Sequence, residues 1–408
     1  MFSALVIAVG VVLVRGDDTV IRPPAPSPSA TGETTTREDQ ASELLARLED
    51  GLGEGDRRAV LGLAASAPSA RRSLQAIYGN VQTLDIEDLS LRYVDEVGGK
   101  LTDADRRTLG RRAWVGEVEL SWRLGRYDKG RNEMEVAFTF VDTGDGVAFG
   151  SAGGPYDHGA PLWLLDDLAL RASGRTLVMA ADPGDLEKYS ALAVRAVTDV
   201  NKVLPSWRDD LVVEVPGSQP QMERVLDAKP STYGSIAAVT STVDGSARES
   251  APAHIVVNPV VFGRLGADGA QIVMSHEATH VATDAAISSM PIWLLEGFAD
   301  YVALAHVDLP VSVTASQILS DVRRKGAPTT LPGAEEFDPA NQLLGASYES
   351  AWLACRLLGE RYGERKLIAF YEAVDDGMSV DEAFPRLLGT SEREFTREWR
   401  AYLEELAS

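Results

Sequence analysis

One cysteine, Cys355, stands in 408 residues, so no intramolecular disulfide can cross-link the chain, and cohesion has to come from packing or from a metal. That excludes a small disulfide scaffold. Positive charge is short as well: 39 Lys and Arg against 61 Asp and Glu leave a net charge of −22, a field that repels phosphate backbones and argues against nucleic acid as a partner. The apolar N-terminal run from Phe2 to Val14, FSALVIAVGVVLV, would reach only about 20 Å as a helix against about 30 Å of hydrocarbon. Neither an A-x-A cleavage site nor a lipobox cysteine follows it.

Residues 1–14 read as a signal-anchor or transmembrane segment whose flank lies upstream, and residues 15–37, rich in Pro, Ser and Thr, as a linker that holds a folded body off a membrane. This predicts a single-pass protein of the cell membrane with its catalytic part outside the cytoplasm. A buried N-terminal strand is the alternative for the run, because Val and Ile dominate it. Hydrophobic residues at 45% and charged residues at 25% are the composition of a chain that folds over most of its length.

After the linker, Ala41, Leu44, Leu45 and Leu48 fall on one helical face, and a second helix follows the possible N-cap Asp56. Alternation then takes over at Leu89, Leu91 and Tyr93, at Val118 to Leu124 and at Met134 to Phe140. Helices followed by antiparallel strands predict an α+β domain over residues 38–180, which resembles the cystatin-like or NTF2-like arrangement in outline. The glycine-rich stretch Gly144 to Gly154 lacks the Lys-Ser/Thr pair of a phosphate loop and reads as a hairpin turn. From 181 to 408 the pattern becomes mixed α/β and then mainly helical, with helices at Leu186 to Leu204, Pro291 to Ala305, Tyr348 to Tyr362 and Glu392 to Leu406, and strands at Leu211 to Val215 and His254 to Val257.

The chain has five histidines, and two of them stand four apart in MSHEATH, Met274 to His280. On a helix, His276 and His280 then share one face and can hold a single Zn²⁺, with Glu277 placed to take a proton from an activated water. Asp268 can cap this helix. A second helical segment, PIWLLEGFADYVA, offers Glu296 as a third ligand, which leaves a fourth position open, the arrangement of a catalytic zinc site. Asp300, four residues on, can accept the free ring N–H of a ligating histidine, His276 by preference.

HEATH followed by WLLEGFADY resembles the gluzincin zinc metallopeptidases, most closely the peptidase MA-like group. The resemblance implies a zincin-type α/β subdomain followed by a mainly helical C-terminal subdomain over residues 181–408, one Zn²⁺ on His276, His280 and Glu296, Glu277 as general base and Asp300 behind a histidine. It also implies a phenol or imidazole from the helical half as oxyanion donor, for which Tyr348 is the candidate and Tyr301 the second. A peptide or protein substrate is then expected to pair with an edge strand ahead of the zinc helix, and HIVVN, His254 to Asn258, occupies that place. No segment of the Gly-Ala-Met-Glu-Asn type precedes the motif, which favours an endopeptidase over an aminopeptidase.

His158 and His306 have no partner at ligand spacing and read as ordinary histidines. Cys355, set among Trp352, Leu353, Leu357 and Leu358, reads as a small buried hydrophobe. Two functions of different class fit these residues: a zinc metallopeptidase, or a ligand-binding module carrying an inactive zincin-like scaffold. The intact set of ligands and base favours the first.

Overall fold

The computed structural model describes residues 8–11, 36–98, 101–154, 159–338 and 341–408. Helix α1 (Arg37–Gly53) begins in a reciprocal cap between Thr36 and Asp39, and it buries Ala41, Leu44, Leu45 and Leu48 at helical spacing. Asp56 caps α2 (Arg57–Gly62) through the amides of Arg58 and Ala59, and α3 (Pro68–Thr83) follows with proline in its first turn. These helices share a core with a four-stranded antiparallel sheet in the order β2 (Ile86–Glu96), β3 (Ala113–Leu124), β4 (Asn132–Asp142) and β5 (Val147–Ala152). A short helix, α4 (Asp103–Leu109), lies between β2 and β3, and a single turn, α5 (Leu162–Leu165), ends the unit. The hairpin turn expected over Gly144 to Gly154 is confined to the residues ahead of Val147, and Val147–Ala152 is itself strand β5.

The next two strands, β6 (Ala169–Ser173) and β7 (Thr176–Ala180), do not extend this sheet. They join β8 (Leu211–Val215), β9 (Ile236–Thr242), β10 (Ala253–Val257) and an N-terminal strand, β1 (Ala8–Val11), in a mixed six-stranded sheet ordered β1-β9-β10-β8-β7-β6. The two sheets therefore divide the chain between Leu165 and Ala169, ahead of residue 180. The reason lies in the burial of β7 and β8 on both faces. Val178, Ala180, Val213 and Val215 face the helical core of the second half, while Leu177, Met179 and Val212 pack into the core of the N-terminal unit, and strands buried on both sides read as continuous apolar runs.

Around the mixed sheet stand α6 (Leu186–Val203), α7 (Gln219–Val225), α8 (Pro259–Phe262) and α9 (Ala267–Ala282). The C-terminal part is helical: α10 (Ile292–Leu304), α11 (Val311–Thr314), α12 (Ser316–Lys325), α13 (Leu344–Tyr362), α14 (Glu364–Asp375), α15 (Val380–Ala383) and α16 (Glu392–Ala407). Gly297 lets α10 and α13 meet. A Cβ there would lie 2.4 Å from the carbonyl oxygen of Ala351 and 3.0 Å from Sγ of the fully buried Cys355, and a backbone carbonyl inside a helix cannot move aside. Gly297→Ala is expected to destabilise the fold by ~1–3 kcal/mol, the ordinary cost of overpacking, and to shift Glu296 beside it. Urea unfolding of the variant against the parent measures the effect; an unchanged midpoint would mean the two helices separate freely.

The N-terminal expectation needs correction. Among the described residues no helix is long and apolar enough to cross a membrane, and Ala8–Val11, the middle of the apolar run, pairs as a strand parallel to β9. The single-pass membrane protein with an extracytoplasmic body is overturned on that ground, and the β-branched content of the run favours the strand. The rest of the run and the linker up to residue 35 lie outside the described residues, as does His158.

Candidate metal centre

Helix α9 begins at Gly266, which offers no side-chain cap; Asp268 stands inside the first turn, where a carboxylate complements the helix dipole instead of capping it. From Ala270 to Val281 every residue is buried, so the helix runs through the interior between the mixed sheet and the C-terminal helices. His276 and His280 are thereby carried to one buried face. Helix α10 crosses α9 and brings Glu296, 1% exposed, to the same point.

The three side chains converge. Nε2 of His276 and Nε2 of His280 lie 2.9 Å apart, and Oε2 of Glu296 lies 3.1 Å from the first and 3.4 Å from the second. The other ring nitrogen of His276, Nδ1, is 2.7 Å from Oδ1 of Asp300. That contact commits the Nδ1 proton to Asp300 in the neutral ring and turns the Nε2 lone pair toward His280 and Glu296. Two imidazole nitrogens and one carboxylate oxygen around one point are the donor set of an open zinc site, and these three residues could together hold a metal ion. Nδ1 of His280, by contrast, is buried without a partner among the described residues.

Protons compete for the same point. Burial works to lower the pKa of His276, but the Asp300 and Glu296 carboxylates outweigh it and hold it at about 10. Burial alone would raise the Glu296 carboxyl; the two imidazoles instead hold it down at about 2. A cation bound here takes the place of the proton that this electrostatic field retains.

Glu277, on the same helix, is fully buried, and burial pushes its carboxyl up against the pull of the two imidazoles. Its Oε2 accepts a 2.7 Å hydrogen bond from the hydroxyl of Thr240 on β9, while its Oε1 has no partner among the described residues. Tyr348, near the start of α13, is 6% exposed, and its ring stands edge-on to His276 at 6.2 Å and to Phe337 at 4.9 Å. Burial and the surrounding carboxylates push its phenol well above the ordinary range, so it remains an O–H donor.

Tyr301 is not brought to this place. Its hydroxyl bonds Glu364 and stands where a Cβ on Gly359 would lie 3.0 Å from it, near the far end of α13, eleven residues from Tyr348 and so about 16 Å along the helix. HIVVN is not an edge either. Strand β10 lies inside the sheet between β9 and β8, because the run buries both of its faces, and β9 is the strand that reaches the glutamate. His306 is exposed, on the loop after α10. Thr240 was missed by sequence reasoning; β9 reads IAAVTST, small residues without alternation, and only a strand assigned there would have placed a hydroxyl beside the HEATH helix.

No protein-family model and no curated protein matches this chain.

Proposed function

We propose that the chain is a zinc-dependent metallopeptidase of gluzincin type, most similar to the peptidase MA-like group, that hydrolyses peptide bonds with Glu277 as general base. The observation that supports it is the convergence of His276, His280 and Glu296 from two crossing helices, with a buried, unpartnered carboxylate oxygen on the neighbouring residue 277. In this reading the mixed sheet with α6 to α9 is the zincin-type α/β subdomain, α10 to α16 the helical subdomain, and α1 to α5 with β2 to β5 a cystatin- or NTF2-like layer packed on the back of the catalytic sheet.

When bound, Zn²⁺ supplies Lewis-acid chemistry, polarising the scissile carbonyl and easing loss of a proton from the attacking water. Asp300 keeps the His276 ring in the tautomer that presents Nε2. Glu277 accepts the proton of the attacking water and passes it to the leaving amine nitrogen, so no covalent acyl intermediate forms. Tyr348 donates its O–H to the developing oxyanion. No segment of the Gly-Ala-Met-Glu-Asn type that would hold a substrate amine stands ahead of the HEATH helix, and on that ground an endopeptidase is favoured over an aminopeptidase.

A broad peptide library incubated with the zinc-loaded chain tests the reading: cleavage that stops on chelation and returns with zinc is expected, and an uncleaved library would reject it. Tyr348→Phe is expected to lower kcat by ~10²–10³, the cost of one oxyanion donor, with KM kept. A rate unchanged in that variant would return Tyr348 to a packing role.

A further inference from the structure

We propose that Thr240 is the positioning residue for the base and that Oε1 of Glu277 is the oxygen that takes the proton. The inference rests on the proposed peptidase reaction. Thr240 is fully buried on β9, and its hydroxyl oxygen lies 2.7 Å from Oε2 of Glu277 and 3.1 Å from the Glu277 carbonyl oxygen. A hydroxyl has one hydrogen. Given to Oε2, it fixes the rotation of the carboxylate and occupies one oxygen, leaving Oε1 buried and unpartnered. A buried carboxylate oxygen without a donor is costly unless a partner arrives from outside the chain. The water that Glu277 deprotonates is such a partner. Nothing else about β9 demands a hydroxyl here, since valine fills the same volume and suits a strand equally well.

Thr240→Val and Thr240→Ser separate the hydroxyl from the packing. In Thr240→Val, kcat on a library-derived peptide is expected to fall ~10–10²-fold, the scale of a misplaced catalytic group, with KM and zinc content unchanged; Thr240→Ser should restore most of the loss. Crystal structures of the two zinc-loaded variants supply a readout that needs no turnover: Glu277 should leave its rotamer in the valine variant and keep it in the serine variant. Full kcat in Thr240→Val, or an unmoved Glu277, overturns the proposal. A parent protein that cleaves nothing overturns the peptidase reading instead, and the Glu277 rotamer still decides the role of Thr240.

A separate cluster carries a second inference. We infer that Asp128, His254 and Glu214 form an ionic latch that locks the N-terminal layer onto the catalytic sheet. Asp128 lies in the β3–β4 hairpin, Glu214 on β8 and His254 on β10, and all three side chains are at least 94% buried. Nδ1 of His254 is 2.7 Å from Oε1 of Glu214, and its Nε2 is 3.0 Å from Oδ1 of Asp128. Carboxylates on both ring nitrogens require a proton on each, so the ring is an imidazolium, and with its nitrogens turned to opposite sides it cannot gather both carboxylates around one metal ion. The second oxygen of Asp128 accepts from the Leu124 amide and from Asn132. Around the cluster, Lys129 of the hairpin meets Asp209 and Asp284, and Asp210 faces Arg126.

Burial disfavours the charged ring, but the two carboxylates outweigh it and raise the His254 pKa to about 9. A raised histidine stabilises fully below its unfolded value of about 6.5, and the contribution is lost as pH rises through 9. The latch therefore loosens toward alkaline pH. Histidine ¹⁵N NMR of the full chain should show the His254 ring doubly protonated at pH 7 and titrating near 9, while hydrogen exchange in the hairpin, corrected for intrinsic rates, should accelerate over the same range. A neutral ring at pH 7, or hairpin protection indifferent to the titration, overturns the latch. Glu214→Gln should lower the NMR midpoint, which a merely packed histidine would not do.

Discussion

Glu277→Gln is expected to keep its zinc and lose hydrolysis by ~10²–10⁴, the usual contribution of a general base. The amide has the shape of the carboxylate and can still accept the Thr240 hydroxyl bond through its oxygen, so the buried strand-to-helix contact survives. What it lacks is a second oxygen basic enough to take a proton. In the parent, burial keeps the Glu277 carboxyl above its ordinary pKa, which makes it a better proton acceptor than an exposed glutamate. The variant and parent should therefore match in metal content and unfolding midpoint and differ in kcat. A variant that cleaves at the parental rate would remove Glu277 from the reaction and leave water activation to another group.

Asp300→Ala is expected to weaken zinc binding ~10–10²-fold, the range for loss of a carboxylate behind a ligating histidine. The two histidines are supported unequally. The Nδ1–H of His276 donates to Asp300 at 2.7 Å, whereas Nδ1 of His280 has no partner among the described residues, so a single carboxylate behind the pair orients it. Without it, the Nδ1 proton of His276 is free to move to Nε2, and the nitrogen that faces Glu296 then donates instead of binding a cation. Competition with a fluorescent zinc chelator measures the change. Affinity equal to the parent's would mean that packing against Tyr348 and His280 alone holds the ring.

His276 and His280 were legible in the sequence as a pair because helical periodicity is short-range: residues four apart share a face wherever the helix lies. Glu296 stands on a separate helix and was joined to them by the WLLEGFADY segment and its resemblance, not by periodicity. Asp300 followed from Glu296 by the four-residue rule. Thr240, which bonds Glu277, comes from a strand, and Asp128, in the cluster around His254, comes from a hairpin loop; such neighbours are not written locally. Thr240 is 37 residues from Glu277 and Asp128 is 126 from His254, distances in chain that no spacing rule connects. HIVVN was expected at an edge because it stands ahead of the HEATH helix, where the resemblance implies a substrate-pairing edge strand; burial of both faces puts it inside the sheet. The single strand Thr176–Ala180, at the end of the expected N-terminal domain, sends alternate side chains into both cores, which no spacing within residues 38–180 shows. The N-terminal run failed differently, since thirteen apolar residues rich in Val and Ile satisfy a short helix and a strand alike.

The measurement that bears most directly on the metal centre is zinc content of the purified chain after expression with zinc, determined by elemental analysis beside the His276→Ala/His280→Ala double variant. One zinc per parent chain and none in a folded double variant is the predicted result. A parent without stoichiometric metal, or a folded double variant that retains it, would contradict the assignment of His276, His280 and Glu296 as its ligands.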